Sequence, residues 1–278
     1  MTCSSRSKRS RLWIKDRPTE AVEYTWVTST VAERLDQGVL EVLVDETARS
    51  NPLSASTVQG LRSCLRRANE DALVRCVLIS SAGEKVFISG ADLESLRHAA
   101  TGLKDMDLFG LFEDLEATEV PVICAVEGLA LGGGFELAIC ADLVLASEQA
   151  QFGLPETSLG VAPGIAMIRL HHEIGRHRAK ELAFSDRRLT ATEARDLGLV
   201  NRVVDGGRLL EEARDLARSI ARRAPIAVRV TKRAFDRERG SQDWRYVRTV
   251  MDEVFTSDDL REGLDAFAAR REAHFEGR

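Results

Sequence analysis

Ala130-Leu131-Gly132-Gly133-Gly134-Phe135-Glu136 is the stretch whose reading decides the fold. Three consecutive glycines stand between an apolar, strand-like run, Val120 to Val126, and a helix-like run, Phe135 to Cys140. Glycine lets a backbone approach a ligand closely and take conformations closed to other residues. A helix start offers unpaired N–H groups and the positive end of a dipole. Glu136 falls in the first turn of that helix. The segment suits the presentation of backbone donors to an oxygen that becomes negative, with an acid–base group beside it. Taken alone it is equally a glycine-rich packing loop.

Working outward, strand, glycine turn and helix alternate through the first two-thirds of the chain. Strands are expected at Val39 to Val44, Val74 to Ser80, Val86 to Ile88, Val120 to Val126, Leu143 to Ala146 and Val200 to Val204. Val58, Leu61 and Leu65 recur at helical spacing, as do Leu108, Leu111, Phe112 and Leu115. Thr190-Ala191-Thr192-Glu193 is a capping box, and Gly198 closes the short helix it opens. From Arg208 to Phe275 only helical periodicity remains, with breaks near Pro225, Gly240-Ser241 and Ser257-Asp258. The expected architecture is α/β, with stacked strand–helix units, parallel strands and a helical C-terminal appendage. Residues 1–23 form a basic extension expected to be disordered, 24–207 the core, and 208–278 the helical region.

Composition narrows the function classes. The chain has 278 residues, enough for a sizeable core, and a net charge of −5, with no basic domain that would suit a general nucleic-acid binder. Its five cysteines show no metal-ligand spacing and no C-x-x-C pair, so they read as buried free thiols in a reducing compartment. That favours the cytoplasm. The Arg-rich, acid-poor segment before residue 18 also fits a transit peptide, which makes the mitochondrial matrix the alternative. No apolar run is long enough to span a membrane.

Two further elements carry chemistry. In Phe87-Ile88-Ser89-Gly90-Ala91-Asp92-Leu93 a short strand turns into a helix at Gly90, so the Ala91 N–H points out of the turn. By itself this is an ordinary turn capped by Asp92. Glu156, in Gly153-Leu154-Pro155-Glu156, is a second carboxylate one strand-length beyond Glu136. Alone, each glutamate is also readable as a helix-dipole partner or a solvated turn residue. Two carboxylates on one pocket are different: they cannot both ionise easily, so one holds a proton near neutral pH.

These pieces, with Pro121-Val122-Ile123-Cys124-Ala125-Val126-Glu127-Gly128-Leu129 before the glycines, then Ala141-Asp142-Leu143, Leu159-Gly160, Pro163-Gly164, Thr192-Glu193-Ala194 and Gly198-Leu199-Val200-Asn201, occur in an order that resembles the enoyl-CoA hydratase/isomerase superfamily, the crotonase fold. The match runs from about residue 24 to the C-terminus. The resemblance implies a spiral of repeated ββα units, followed by a C-terminal helical region used in trimers that often pair into hexamers. It implies that the Ala91 and Gly133 N–H groups grip the thioester oxygen of an acyl-CoA, that Glu136 and Glu156 are the catalytic pair, and that no cofactor or metal is needed. Asn51, Ser89, Gly90, Asp92, Leu93, Gly132 and Phe135 are then substrate-binding candidates. Leu96, Met106, Phe109, Phe112, Phe135 and Met167 are candidates for the apolar pocket or for plain core.

The chain departs from the pattern where Ile165-Ala166-Met167-Ile168 follow Pro163-Gly164 in place of small residues, and where Glu46-Thr47 replace a proline before Asn51. Both bear on acyl and CoA contacts. The implied reaction is hydration of an enoyl-CoA. Isomerisation or hydration followed by cleavage would use the same pocket. The reading from another class is a non-catalytic trimer that binds RNA or protein through Arg62, Arg66 and Arg67, a stripe followed at once by Glu70 and Asp71.

Overall fold

Val39–Val44 is apolar at every position but Glu41, and all its residues are buried. A continuous apolar strand is the mark of a sheet covered on both faces. The computed structural model describes residues 9–11, 23–98, 107–236 and 241–276. In chain order its strands are β1 (Arg9–Arg11), β2 (Glu23–Trp26), β3 (Val31–Asp36), β4 (Val39–Val44), β5 (Cys76–Ser81), β6 (Val86–Ile88), β7 (Val122–Val126), β8 (Leu129–Leu131), β9 (Leu143–Ser147), β10 (Gln151–Gly153), β11 (Arg188–Thr190) and β12 (Arg202–Val204). The helices are α1 (Ala55–Glu70), α2 (Leu93–His98), α3 (Leu108–Glu116), α4 (Gly133–Cys140), α5 (Ala166–Ile174), α6 (Arg176–Ser185), α7 (Ala191–Asp196), α8 (Leu209–Ala221), α9 (Pro225–Phe235), α10 (Ser241–Thr256) and α11 (Asp258–Ala269).

The strands form two sheets. The larger has the order β1-β2-β3-β4-β5-β7-β9-β12, and the smaller β11-β10-β8-β6. From β4 to β12 the large sheet is parallel, preceded by an antiparallel β2–β3–β4 meander. The chain deals its strands out alternately: β5, β7 and β9 go to the large sheet, and β6, β8 and β10, which follow each of them, go to the small one. Helices close each turn. This is the expected spiral of ββα units. Arg9–Arg11, inside the basic N-terminal extension, pairs with β2; the rest of residues 1–22 lies outside the described residues.

Period-two alternation assigns each strand residue to a layer. Leu40, Val42, Val77, Ile79, Val122 and Cys124 enter the main core with α1 and α4. Val39, Cys76, Leu78, Ile123 and Leu145 face the other way, against Leu209, Ala213 and Ala217 of α8. The helical run that begins near Arg208 therefore starts as the outer layer of the sheet. Buried Glu41 lies on this outer face. It accepts from the Tyr24 hydroxyl at 2.7 Å, from Arg214 at 2.9 Å and from Arg34. Burial pushes its carboxyl up, and Arg214, Tyr24 and Arg34 outweigh it, holding the pKa below the usual value. Pro225 opens α9 at its first turn, and Ser257 caps α11 through the Leu260 N–H at 3.1 Å. No helix among the described residues is long and apolar enough to cross a membrane.

Candidate active site

Three parallel strands of the small sheet end side by side. Ile88 of β6 lies opposite Ala130 of β8, and Leu131 of β8 opposite Gly153 of β10. The turns that follow therefore emerge together: Ser89-Gly90-Ala91, Gly132-Gly133 and Leu154-Pro155-Glu156. The carboxyl ends of parallel strands are where open α/β sheets bind ligands.

The first two turns bring the Ala91 and Gly133 backbone nitrogens close together. A Cβ placed on Gly90 would lie 3.4 Å from the Gly133 nitrogen, and one on Gly133 would lie 3.8 Å from the Ala91 nitrogen. α4 begins at Gly133, two residues before the apolar run suggests, so the Gly133 N–H belongs to the first turn and has no intrahelical acceptor. Gly132 has φ 51° and ψ −123°, a conformation reserved for glycine, and it turns β8 into α4. Gly134 is required by packing: a Cβ there would sit 2.2 Å from the Ile88 carbonyl oxygen.

The glutamates flank this pair. Glu136 is 4% exposed, and its Oε1 accepts the N–H groups of Ile165 at 2.7 Å and Ala166 at 3.0 Å. Glu156 opens a short 3-10 turn behind Pro155. A Cβ on Gly132 would fall 2.8 Å from Glu156 Oε1, so this carboxyl lies against the glycine turn. Its Oε2 is buried with no hydrogen-bond partner. Burial raises the Glu136 pKa to about 7, against the pull of the Ala166 and Ile165 amides. Glu156 is raised well above its ordinary value by burial first, then by the charge of Glu136 and, last, of Asp186. The two groups share a site in which one proton is favoured over none. Glu136 has two donors that favour its ionised form, whereas the Glu156 Oε2 has none.

A cavity of about 600 Å³ opens over these groups. Ser89, Gly90, Ala91, Asp92, Leu93, Gly132, Gly133, Glu136 and Glu156 all line it, as do Phe109 and Phe112. Asn51 and Phe135 do not. Asn51 is buried, and its amide braces backbone: Oδ1 accepts from Glu46 N at 2.8 Å, and Nδ2 donates to the carbonyls of Ala82 and Val86 at 3.1 and 2.9 Å. Phe135 packs in the core on Phe152, with ring centroids 5.4 Å apart. Met167 packs against the same core and is absent from the lining. Met106 and the side chain of Leu96 lie outside the described residues.

The bulk at 165–168 leaves the cavity untouched. Ile165, Ala166 and Ile168 are buried in the core, while the neighbouring Ala162 and Gly164 line the cavity. Glu46, where a proline was expected, receives Arg49 at 2.8 Å and the Ser54 hydroxyl at 2.9 Å. Arg49 also reaches Asp92 at 2.8 Å, and both residues line the cavity. The sequence reading missed the Ile165–Ala166 amide pair, whose only signal was a helix starting just after Pro163-Gly164. It also missed Met251 and Phe267, which reach the lining from α10 and α11. Another cavity, of about 620 Å³ between β9 and α9, includes neither glutamate nor either amide, so its size does not make it the reaction site. In the basic stripe, Arg62 is paired with Asp107 and Asp114, and Arg67 with Glu33 and Asp71, while Arg66 is exposed.

The enoyl-CoA hydratase/isomerase family profile matches residues 34–278. The chain is 34% identical over 249 residues to a probable mitochondrial enoyl-CoA hydratase 2 of Arabidopsis thaliana, covering 87% of this chain and 83% of that one. It is 35% identical over 246 residues to the short-chain-enoyl-CoA hydratase of Clostridium acetobutylicum, with 84% and 92% covered. Among solved structures, a carnitinyl-CoA dehydratase from Mycobacterium avium 104 superposes with a TM-score of 0.82 at 32% identity, covering 90% of this chain and 99% of that one.

Proposed function

The chain belongs to the enoyl-CoA hydratase/isomerase family, and we propose that it is an enoyl-CoA hydratase that adds water reversibly across the α,β double bond to give a 3-hydroxyacyl-CoA. The observation that carries this reading is the pair of buried carboxylates beside two neighbouring backbone amides, one carboxylate held by donors and the other with a buried, unpartnered oxygen. The thioester oxygen accepts the Ala91 and Gly133 N–H groups, which hold the negative charge that grows there as the enolate forms. Preorganised donors of this kind contribute on the order of several kcal/mol. Glu136, as the carboxylate, takes a proton from water as its oxygen bonds to Cβ. Glu156, as the acid, delivers a proton to Cα. The pair ends with its proton exchanged between the two, and exchange with solvent restores the start.

These groups supply a base, an acid and an anion site, so the reaction is assigned no resident cofactor; coenzyme A is part of the substrate. Phe109, Phe112, Val161 and Met251 make an apolar wall suited to the acyl group. A homotrimer, or a dimer of trimers, is proposed from Ile226 and Phe235 of α9, which are 77% and 84% exposed in the single chain. The cytoplasm is the assigned compartment; the buried free thiols Cys64, Cys76, Cys124 and Cys140 fit any reducing compartment. The matrix is the alternative, decided by whether residues 1–23 carry a fluorescent fusion into mitochondria. The reaction is tested with a panel of short, long, branched and aromatic enoyl-CoAs. The expected outcome is loss of enoyl-thioester absorbance with formation of the 3-hydroxyacyl-CoA. A shifted double bond with no water added would replace hydration by isomerisation.

A further inference from the structure

Behind Glu136 lies a buried ion pair set back from the substrate cavity. Arg169 of α5 is 3% exposed. Its Nε and Nη2 grip Glu116, the last residue of α3, at 2.6 Å to Oε1 and 2.9 Å to Oε2. Glu116 Oε2 also accepts the indole N–H of Trp244 on α10 at 3.2 Å. The Cys140 thiol on α4 lies 4.0 Å from Glu116 Oε1.

The spacing ties this cluster to the catalytic carboxylate. Glu136 and Cys140 are four apart on α4, hence on one face. Ile165 and Arg169 are four apart at the start of α5, joined by the Arg169 N–H donating to the Ile165 carbonyl at 2.9 Å. The first members of the two pairs meet where Ile165 N–H reaches Glu136, and the second members meet at Glu116. The N-cap of α5 makes no side-chain cap bond; its leading amides at 165 and 166 go to Glu136 instead. One helical turn further on, the Arg169–Glu116 fork ties α5 to the end of α3, beside Cys140 of α4. A buried ion pair is weak support for stability, since apolar residues of similar volume often serve as well. A bidentate fork is, however, geometrically demanding, and a helix that must aim two amides at one oxygen needs its register set to fractions of an ångström.

We propose that Arg169 is a positioning residue: its fork with Glu116 sets the register of α5, so that the Ile165 and Ala166 amides stay on Glu136 Oε1 and hold that carboxylate in its reacting pose. The proposal rests on the reading of Glu136 as the base. The working variant is the Arg169→Met/Glu116→Gln pair. Arg169→Met alone strands a buried charge, whereas the side-chain amide introduced by Glu116→Gln is neutral and keeps an acceptor for Trp244. Arg169→Lys, which keeps the charge and loses the fork, is the second variant and decides the matter if the pair does not fold. The measurements are amide hydrogen exchange at Ile165 and Ala166, and the pH dependence of kcat for enoyl-CoA hydration. Losing donors to its charged form raises the pKa of a carboxylate. The expected result is faster exchange at both amides, kcat lower by about tenfold or more with KM little changed, and an acid limb displaced to higher pH, with smaller effects in Arg169→Lys. Parent exchange rates and a parent profile in folded variants would overturn the proposal. Faster exchange with an unmoved acid limb upholds the positioning and sinks the assignment of Glu136 as base instead.

Discussion

Glu156 sits where a carboxylate is least stable: buried, beside Glu136, with one oxygen lacking any partner. In the unfolded chain its pKa is near 4.5. The folded state keeps the proton to higher pH, so between the two pKa values it binds more protons than the unfolded chain, and stability falls as pH rises through that window. Glu156→Gln is nearly isosteric and has no charge to desolvate. Its Tm relative to that of the parent should rise as pH rises from about pH 5 to about pH 8, since the parent alone must ionise a buried carboxyl. Calorimetry at both pH values checks this, and a Tm difference that does not rise between them would contradict it. Such strain is expected of a functional residue, since activity and stability commonly trade against each other.

At the scale of elements, α7 is the most self-contained case. The Thr190 hydroxyl accepts the Glu193 N–H at 3.2 Å, and Glu193 Oε2 accepts the Thr190 N–H at 2.8 Å. Thr190→Ala removes the first bond and should cost about 1 kcal/mol, read as a shift in the urea midpoint at unchanged slope; no shift would mean that packing alone holds α7. This capping box was legible because it is written in side chains at fixed spacing. So were α1, through Val58, Leu61 and Leu65, and the long strands β4, β7 and β9. The small sheet was largely missed. β8, β10 and β11 are three residues each, too short for a periodicity, and they become strands only by pairing with one another. The site followed the same rule. Glu136, Glu156 and the glycine turns could be read as residue types, whereas the Ile165 and Ala166 amides could not, because a backbone donor is common to every residue but proline. Asn51 misled for the opposite reason: its type suits a ligand contact, but its backbone neighbours take all its bonds.

For the whole molecule, the alternation of strands between two sheets explains why residues far apart in sequence share one cavity. Each turn of the spiral delivers one strand end to the site, so Ala91, Gly133 and Glu156 come from β6, β8 and β10 in succession. α8 seals the outer face of the large sheet. α9 then has no buried residue of its own, and Ile226, Val230 and Phe235 remain exposed. Ile226 and Val230 are four apart and so on one face of α9, and with Phe235 they are the exposed apolar residues on which the proposed assembly rests. Sedimentation of the full chain should give a mass of three or six copies, and a monomer at micromolar concentration would contradict the proposed assembly.

In the proposed reaction Glu136 and Glu156 move the protons of hydration. The most direct measurement is kcat and KM for enoyl-CoA hydration by Glu136→Gln, Glu156→Gln and the double variant. Each single change should lower kcat by about 10²- to 10⁴-fold, with KM little altered. The double variant should lose little more than the worse single, because groups acting as a unit are not additive. Near-parental kcat in both single variants would rule out these two carboxylates as the proton carriers.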